Sequence, residues 1–193
     1  NGFHGGVVVR VTVTSSINEC SADSITGDGE TVYIQAPFNA LQGIDNFKVE
    51  TYARRNNDKE TWQSLINNYR DASNNRLGFF IGYANDHRAL SSNLYTTDGN
   101  ILGVLDTGFV MKLGIVYKIT LEYTGEQVNF KCYEVRANGE LALRMSESTP
   151  LTGLVNVGML PLTLLDRNDK HELENAAFTL GRIIITTEER VDV

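Results

Sequence analysis

Apolar and polar residues alternate with a period of two along most of this chain. That is the pattern of strands with one face in a core and the other in water. In the stretch 117–135, YKITLEYTGEQVNFKCYEV, Tyr117, Ile119, Leu121 and Tyr123 fall on one side, and Lys118, Thr120 and Glu122 on the other. After a polar break the alternation resumes, with Val128, Phe130 and Cys132 on the apolar side. The break holds Gly125, suited to the positive φ of a tight turn, so 117–135 predicts a β-hairpin. The same reasoning predicts strands over 7–14, 30–38, 46–55, 76–84, 100–108, 140–147, 154–160 and 178–188.

Helix is scarce. In 59–71, KETWQSLINNYRD, the residues Trp62, Leu65, Ile66 and Tyr69 have i, i+3, i+4, i+7 spacing. Two asparagines disfavour a helix there, and the segment lies between strand-like runs, so a strand is the preferred reading. Turn residues punctuate the chain at 24–29, 97–100, 124–127 and 138–140, and prolines 37, 150 and 161 fall near strand ends. Ten or more short strands in 193 residues predict an all-β fold, a two-sheet antiparallel β-sandwich with about five to seven strands per sheet. Residues 1–6, NGFHGG, read as a flexible leader, and 7–193 as a single domain.

Composition narrows the partners. Seventeen basic against 24 acidic residues give a net charge of −7, which repels phosphate backbones, so no nucleic-acid partner is expected. No run approaches the ~18 apolar residues of a membrane span, so no membrane insertion is expected. Cys20 and Cys132 are too few for a disulfide framework or a zinc site. Cys132 reads as a buried thiol on a strand's apolar side, and a bridge between the two stays open, because the sequence does not fix their distance. The chain lacks an Asn-x-Ser/Thr acceptor and starts without Met, which suggests a module cut from a larger bacterial or viral assembly.

The candidate chemistry is that of binding. No G-x-S-x-G is present, and His4, His87 and His171 are far apart. Retaining glycoside hydrolysis needs two carboxylates about 5 Å apart. The pairs Glu172/Glu174 and Glu188/Glu189 lie in polar stretches and read as solvated charge. Sugar recognition needs an aromatic face and polar groups on a rigid frame. Trp62, Asn68 and Tyr69 supply these in one stretch; Asp86, His87, Arg88 and Tyr95 supply them in another, YANDHRALSSNLY. The plainer reading makes Trp62 a core residue and 86–88 a loop tip. In DRNDKHE, 166–172, the oxygen donors Asp166, Asn168 and Asp169 would suit Ca²⁺, the one cofactor left open; the alternative is a solvated loop.

The order of segments adds a resemblance. YIQAPFNALQGIDNFKVETYARRN, WQSLINN, GFFIGY, FVMKLGIVYKITLEYTGEQVNFKCYEV, LVNVGML and FTLGRIIIT succeed one another over residues 30–187. This order resembles the concanavalin A-like lectin/glucanase superfamily and, within it, the laminin G-like jelly-roll modules. The family's outer strand corresponds to 47–53, its next strand to 64–67, its hairpin to 117–133 and its closing strand to 178–185. The turn Asn138-Gly139-Glu140 comes several residues late. The calcium ligands of laminin G modules have no secure counterpart, and the E-x-D-x-x-E of the glucanase branch is absent.

The resemblance implies a non-catalytic carbohydrate-binding module of a secreted, cell-surface or phage tail protein, recognising a glycan or cell-surface polysaccharide. Its location would be extracellular, on a cell surface or in a virion. One rival is a protein-binding adhesion or structural module, which exposed large apolar residues outside the strands would favour. The other is a glycan-cleaving enzyme, which needs two carboxylates facing one another in a cleft.

Overall fold

A computed structural model of the chain describes residues 6–11, 24–30, 34–36, 41–69, 76–97, 105–155, 160–167 and 174–188. They form β1 (Gly6–Val11), β2 (Ile25–Thr26), β3 (Ile34–Ala36), β4 (Phe47–Arg55), β5 (Gln63–Asn67), β6 (Phe79–Tyr83) and β7 (Leu90–Leu94). The chain continues with β8 (Leu105–Asp106), β9 (Val116–Tyr123), β10 (Gln127–Val135), β11 (Leu141–Pro150), β12 (Leu162–Leu164) and β13 (Phe178–Glu188). A seven-stranded sheet runs β1-β13-β4-β9-β10-β11, with β2 also beside β13, and a six-stranded sheet runs β3-β12-β5-β6-β7-β8. All strand pairings are antiparallel. The expected two-sheet β-sandwich is therefore present.

Alternation builds the seven-stranded sheet. In β4, Phe47, Val49, Thr51, Ala53 and Arg55 are buried, while the residues between them stay half-exposed. The β9–β10 hairpin is in register from Tyr123↔Val128 to Tyr117↔Glu134, and Gly125 takes φ 87° in its turn. Phe47, Val49, Ile119, Leu121 and Phe130 from this sheet meet Leu65, Phe79, Ile81, Leu90 and Leu94 from the other in one core. Phe47 and Phe79 touch across the layers with ring centroids 6.0 Å apart. Burying each such side chain contributes roughly 1.5–3 kcal/mol. The same alternation separates the adjacent arginines 54 and 55. Arg55 faces inward, donating to the Met111 carbonyl at 3.1 Å and to Asp58 at 2.7 Å.

The six-stranded sheet departs from simple alternation. Every residue of β5, β6 and β7 is buried, so this sheet is covered on both faces. That explains the strands the sequence hid. β7 is LSSNL; Ser92 shares the inward phase of Leu90 and Leu94, while Ser91 and Asn93 face out, and no apolar period is left to see. β12 is all buried but only three residues long. It follows the segment expected as a strand at 154–160, of which Val155 forms an isolated bridge to Thr96 and 156–159 lie outside the described residues. β2 falls in a stretch expected to be a turn.

Residues 63–67 are strand, as preferred over helix. Within the segments expected at 7–14, 30–38 and 100–108, residues 12–14, 31–33, 37–38 and 100–104 lie outside the described residues. Gly6, assigned to the leader, already pairs with Glu188; residues 1–5 lie outside, as does Cys20. Cys132 is a free, buried thiol. Among the described residues, no helix is long and apolar enough to cross a membrane.

Candidate functional site

The outer face of the six-stranded sheet carries an aromatic cluster separate from the core: Tyr69, Phe80 and Tyr95, with Trp62 packed against it. Local sequence dictates this. Phe79 and Ile81 point inward, so Phe80 between them must point out. Trp62 immediately precedes β5, Tyr69 follows it by two residues, and Tyr95 directly follows β7, so Trp62 and Tyr69 meet Phe80 from strand ends and Tyr95 meets Tyr69. The Trp62 and Phe80 centroids lie 5.7 Å apart at 75°, Tyr69 and Phe80 5.2 Å apart, and Tyr69 and Tyr95 5.8 Å apart. Each such contact is worth about 0.5–1.5 kcal/mol beyond the area it buries.

The turn between β6 and β7 delivers a cation to this platform. The Arg88 guanidinium carbon stands 4.3 Å from the centre of the Trp62 ring, within cation–π reach. Asp86 fixes it there. Its Oδ2 accepts from Arg88 Nε at 2.9 Å and Nη2 at 2.5 Å, and its Oδ1 accepts the Arg88 backbone N–H at 2.8 Å. Two charge-assisted bonds converging on one carboxylate oxygen hold the guanidinium in place. The Arg88 side chain holds the Asp86 carboxyl below its usual range.

Between these groups lies a pocket of about 230 Å³, lined by Trp62, Tyr69, Arg76, Phe80, Arg88, Asn93, Asp106 and Glu174. Asn93 is 8% exposed, and among the described residues its Oδ1 accepts no hydrogen bond. An acceptor left this way costs roughly 1–3 kcal/mol until a donor reaches it. Asp106 Oδ1 accepts from Ser91 Oγ at 2.9 Å. Glu174 is engaged on both oxygens, by Ser64 Oγ at 2.7 Å and Arg167 Nη1 at 2.8 Å. Behind the wall, burial pushes the Tyr95 phenol up to about 12; the nearby Tyr69 hydroxyl adds to this and Arg76 opposes it. Tyr95 therefore stays a neutral phenol at physiological pH.

Of the residues proposed from sequence, Trp62, Tyr69 and Arg88 line the pocket. Asp86 orients Arg88, and Tyr95 supports Tyr69 from behind. Trp62 is both platform and partial core, because it is half-buried against Phe80. Asn68 serves the frame instead. It is fully buried, and its Oδ1 accepts the Phe79 N–H at 2.9 Å, clipping β5 to β6. His87 is exposed at the turn and is not part of the wall. Sequence reasoning missed Arg76, Phe80 and Asp106, and it took Glu174 for solvated charge, whereas the Glu174 side chain is 14% exposed and bonded on both oxygens. Phe80 was discoverable, since GFFIGY must send one of its two phenylalanines outward. Asp106 had no local signal, because it arrives opposite Ser91 through strand pairing.

The proposed metal ligands fare differently. Asp166 is buried rather than on a solvated loop. Its Oδ1 accepts the Arg167 N–H at 2.7 Å, and its carbonyl accepts from Asn67 Nδ2 at 2.7 Å. Asn168 and Asp169 lie outside the described residues. Among the described residues, no cluster of three His, Cys, Asp or Glu could hold a metal ion. Nearby, Lys59 Nζ ties two loops together by donating to the carbonyls of Gly29 at 2.7 Å and Asn175 at 2.6 Å.

No protein-family model and no curated protein matches the sequence. Solved structures do. The LG1-3 region of the laminin alpha2 chain superposes with a TM-score of 0.61 at 12% identity, over 89% of this chain and 35% of that one. The enzymatically active domain of bacteriophage CBA120 tailspike protein 2 gives 0.58 at 14% identity, over 95% and 28%. The CBM40 of Ruminococcus gnavus IT-sialidase, bound to α2,3-sialyllactose, gives 0.50 at 14%, over 88% and 92%. The chain shares the jelly-roll β-sandwich fold of these structures. This chain thus spans about a third of the laminin and tailspike structures it matches. At such identities the likeness describes the backbone, and chemistry has to be read from the side chains.

Proposed function

We propose that this jelly roll is a non-catalytic carbohydrate-binding module that holds one sugar unit in the pocket between Trp62, Tyr69 and Arg88. One observation carries the reading: an aromatic platform, a locked guanidinium and a buried, unpaired acceptor, Asn93 Oδ1, border the same small cavity. A pyranose presents a C–H face to aromatic rings and hydroxyl donors to an acceptor such as Asn93. At about 230 Å³ the cavity is smaller than the ~300–1,000 Å³ typical of drug-sized sites, which suits a single ring of a longer glycan. The glycan-bound module and the phage tailspike among the similar structures support placing the chain in a secreted, cell-surface or phage tail protein engaged in host or surface recognition. The binding role is favoured over cleavage because Glu174, one of two carboxylates at the pocket, has both oxygens committed to structural partners.

A Ca²⁺ site on Asp166, Asn168 and Asp169 remains a proposal; Asp166 Oδ1 already accepts the Arg167 backbone N–H. A rise in melting temperature with added Ca²⁺ tests it.

A glycan array followed by titration of the best hit tests the main reading. Trp62→Ala is expected to weaken binding by about tenfold or more, given the ~1–3 kcal/mol of a stacking contact. Unchanged binding overturns the site assignment, and turnover of the glycan overturns the non-catalytic role. A second reading, a protein-binding adhesion module, is favoured by exposed large apolar residues outside the strands: Val110, Leu113 and Leu154. Binding to a protein ligand with no glycan hit would select it.

A further inference from the structure

We propose that the outer face of the seven-stranded sheet carries a second site, independent of the aromatic pocket, that takes an acidic saccharide through Arg136, Arg182 and Tyr52. A groove of about 990 Å³ crosses this face, lined among others by Tyr52, Arg54, Val116, Val135, Arg136 and Arg182. Among the described residues its lining holds three arginines and one carboxylate, and that carboxylate, Glu134, is already paired with Arg144 at 2.9 Å. The groove is thus a cationic island on a chain whose net charge is −7.

Two of the arginines are available. Arg182 is exposed and has no ion-pair partner among the described residues. Arg136 meets Glu140 only at 3.8 Å, with both side chains more than half exposed. Beside Arg182 on β13, Gly181 leaves room for Tyr52 on β4: a Cβ there would come within 3.1 Å of the Tyr52 Cβ. The half-buried Tyr52 and the apolar Val116 and Val135 give the groove an apolar side.

These features select the ligand class. The floor strands are hydrogen-bonded on both sides: β13 to β2 and β4, β4 to β13 and β9, and β9 to β4 and β10. Among the described residues no free edge remains here for a peptide to add as a strand, so recognition falls to side chains. Guanidinium forks match carboxylate and sulfate groups, and a tyrosine beside aliphatic residues matches a sugar's C–H face. An acidic saccharide carries both features and keeps its remaining hydroxyls in water. Because the two sites lie on opposite faces of the sandwich, one module could engage two glycan segments at once.

The test is calorimetric titration of the whole chain with oligogalacturonate and with sulfated dextran oligomers, using maltohexaose and polyglutamate as comparisons. At least one acidic saccharide is expected to bind, more weakly as salt rises. The double variant Arg136→Gln/Arg182→Gln, altered only at exposed positions, is expected to lose about tenfold or more in affinity. Trp62→Ala should leave this binding unchanged, which separates its failure from failure of the aromatic-pocket reading. The proposal is overturned if neither acidic saccharide binds at low salt, if maltohexaose binds equally well, or if affinity survives the double variant. Polyglutamate binding as tight as the saccharide's would also overturn it and reassign the groove to acidic peptides.

Discussion

Arg88 places its guanidinium carbon 4.3 Å above the Trp62 ring and is anchored there by Asp86. The two partners therefore play distinct roles, and substitutions can separate them. Arg88→Ala removes a contact group and is expected to weaken glycan binding by about tenfold or more. Asp86→Asn leaves the cation but loosens its orientation, and should cost less affinity. Neither change should lower stability by more than about 1 kcal/mol, since the pair is partly exposed. Titration and denaturant unfolding of both variants check the ordering.

The clip at the start of β6 is expected to be stability-critical. Gly78 has φ 54°, and a Cβ there would lie 2.2 Å from the Asn68 carbonyl oxygen. Gly78→Ala should destabilise by at least ~1–3 kcal/mol from backbone strain alone. Asn68→Ala strands the buried Phe79 N–H and should cost roughly 1–3 kcal/mol. Chemical denaturation reads both values, and an Asn68→Ala variant that bound glycan without folding loss would contradict the structural role given to it.

Acid sensitivity should trace in part to Glu50. Burial, the largest single influence, pushes its carboxyl up, but Lys48 at 3.2 Å and Lys118 at 3.3 Å together hold it below its ordinary value of 4.5. A carboxyl depressed in the folded state contributes stability that is present above the unfolded value and lost as pH falls through the folded one. Glu50→Gln should therefore lower stability modestly at neutral pH and flatten its fall below about pH 4.5, where the two proteins converge. Melting temperatures across an acid pH series measure this.

Cys132 should be chemically silent while the protein is folded. Burial pushes its thiol up to about 12, and thiolate is the reactive form. Thiol labelling with peptide mapping should modify Cys132 only under denaturing conditions. Labelling of the native protein at this position would contradict its place in the core.

Legibility in the sequence followed burial. β4, β9, β10 and β13 each have one wet face or edge, so Phe47, Ile119, Phe130 and Ile183 stood out by alternation. β7 did not, because the six-stranded sheet is covered on both faces and Ser91, Ser92 and Asn93 carry no apolar signal. The site was legible where chemistry clustered along the chain, as at Trp62, Tyr69 and Arg88. It was hidden where strand pairing brought distant residues together, as with Asp106 beside Ser91, and Glu174 against Ser64. The exposure of a carboxylate such as Glu174 depends on neighbours more than a hundred positions away, and no local pattern reports that.

Trp62 is the chain's one tryptophan, so its fluorescence reports the proposed sugar site without labelling. The most direct measurement is a titration of the array-selected glycan into the wild-type chain, following Trp62 emission and analysing the glycan afterwards. The account predicts a saturable emission change that Arg88→Ala weakens by about tenfold or more, with the glycan recovered intact. A glycan that binds without altering Trp62 emission, or that is recovered cleaved, would contradict it.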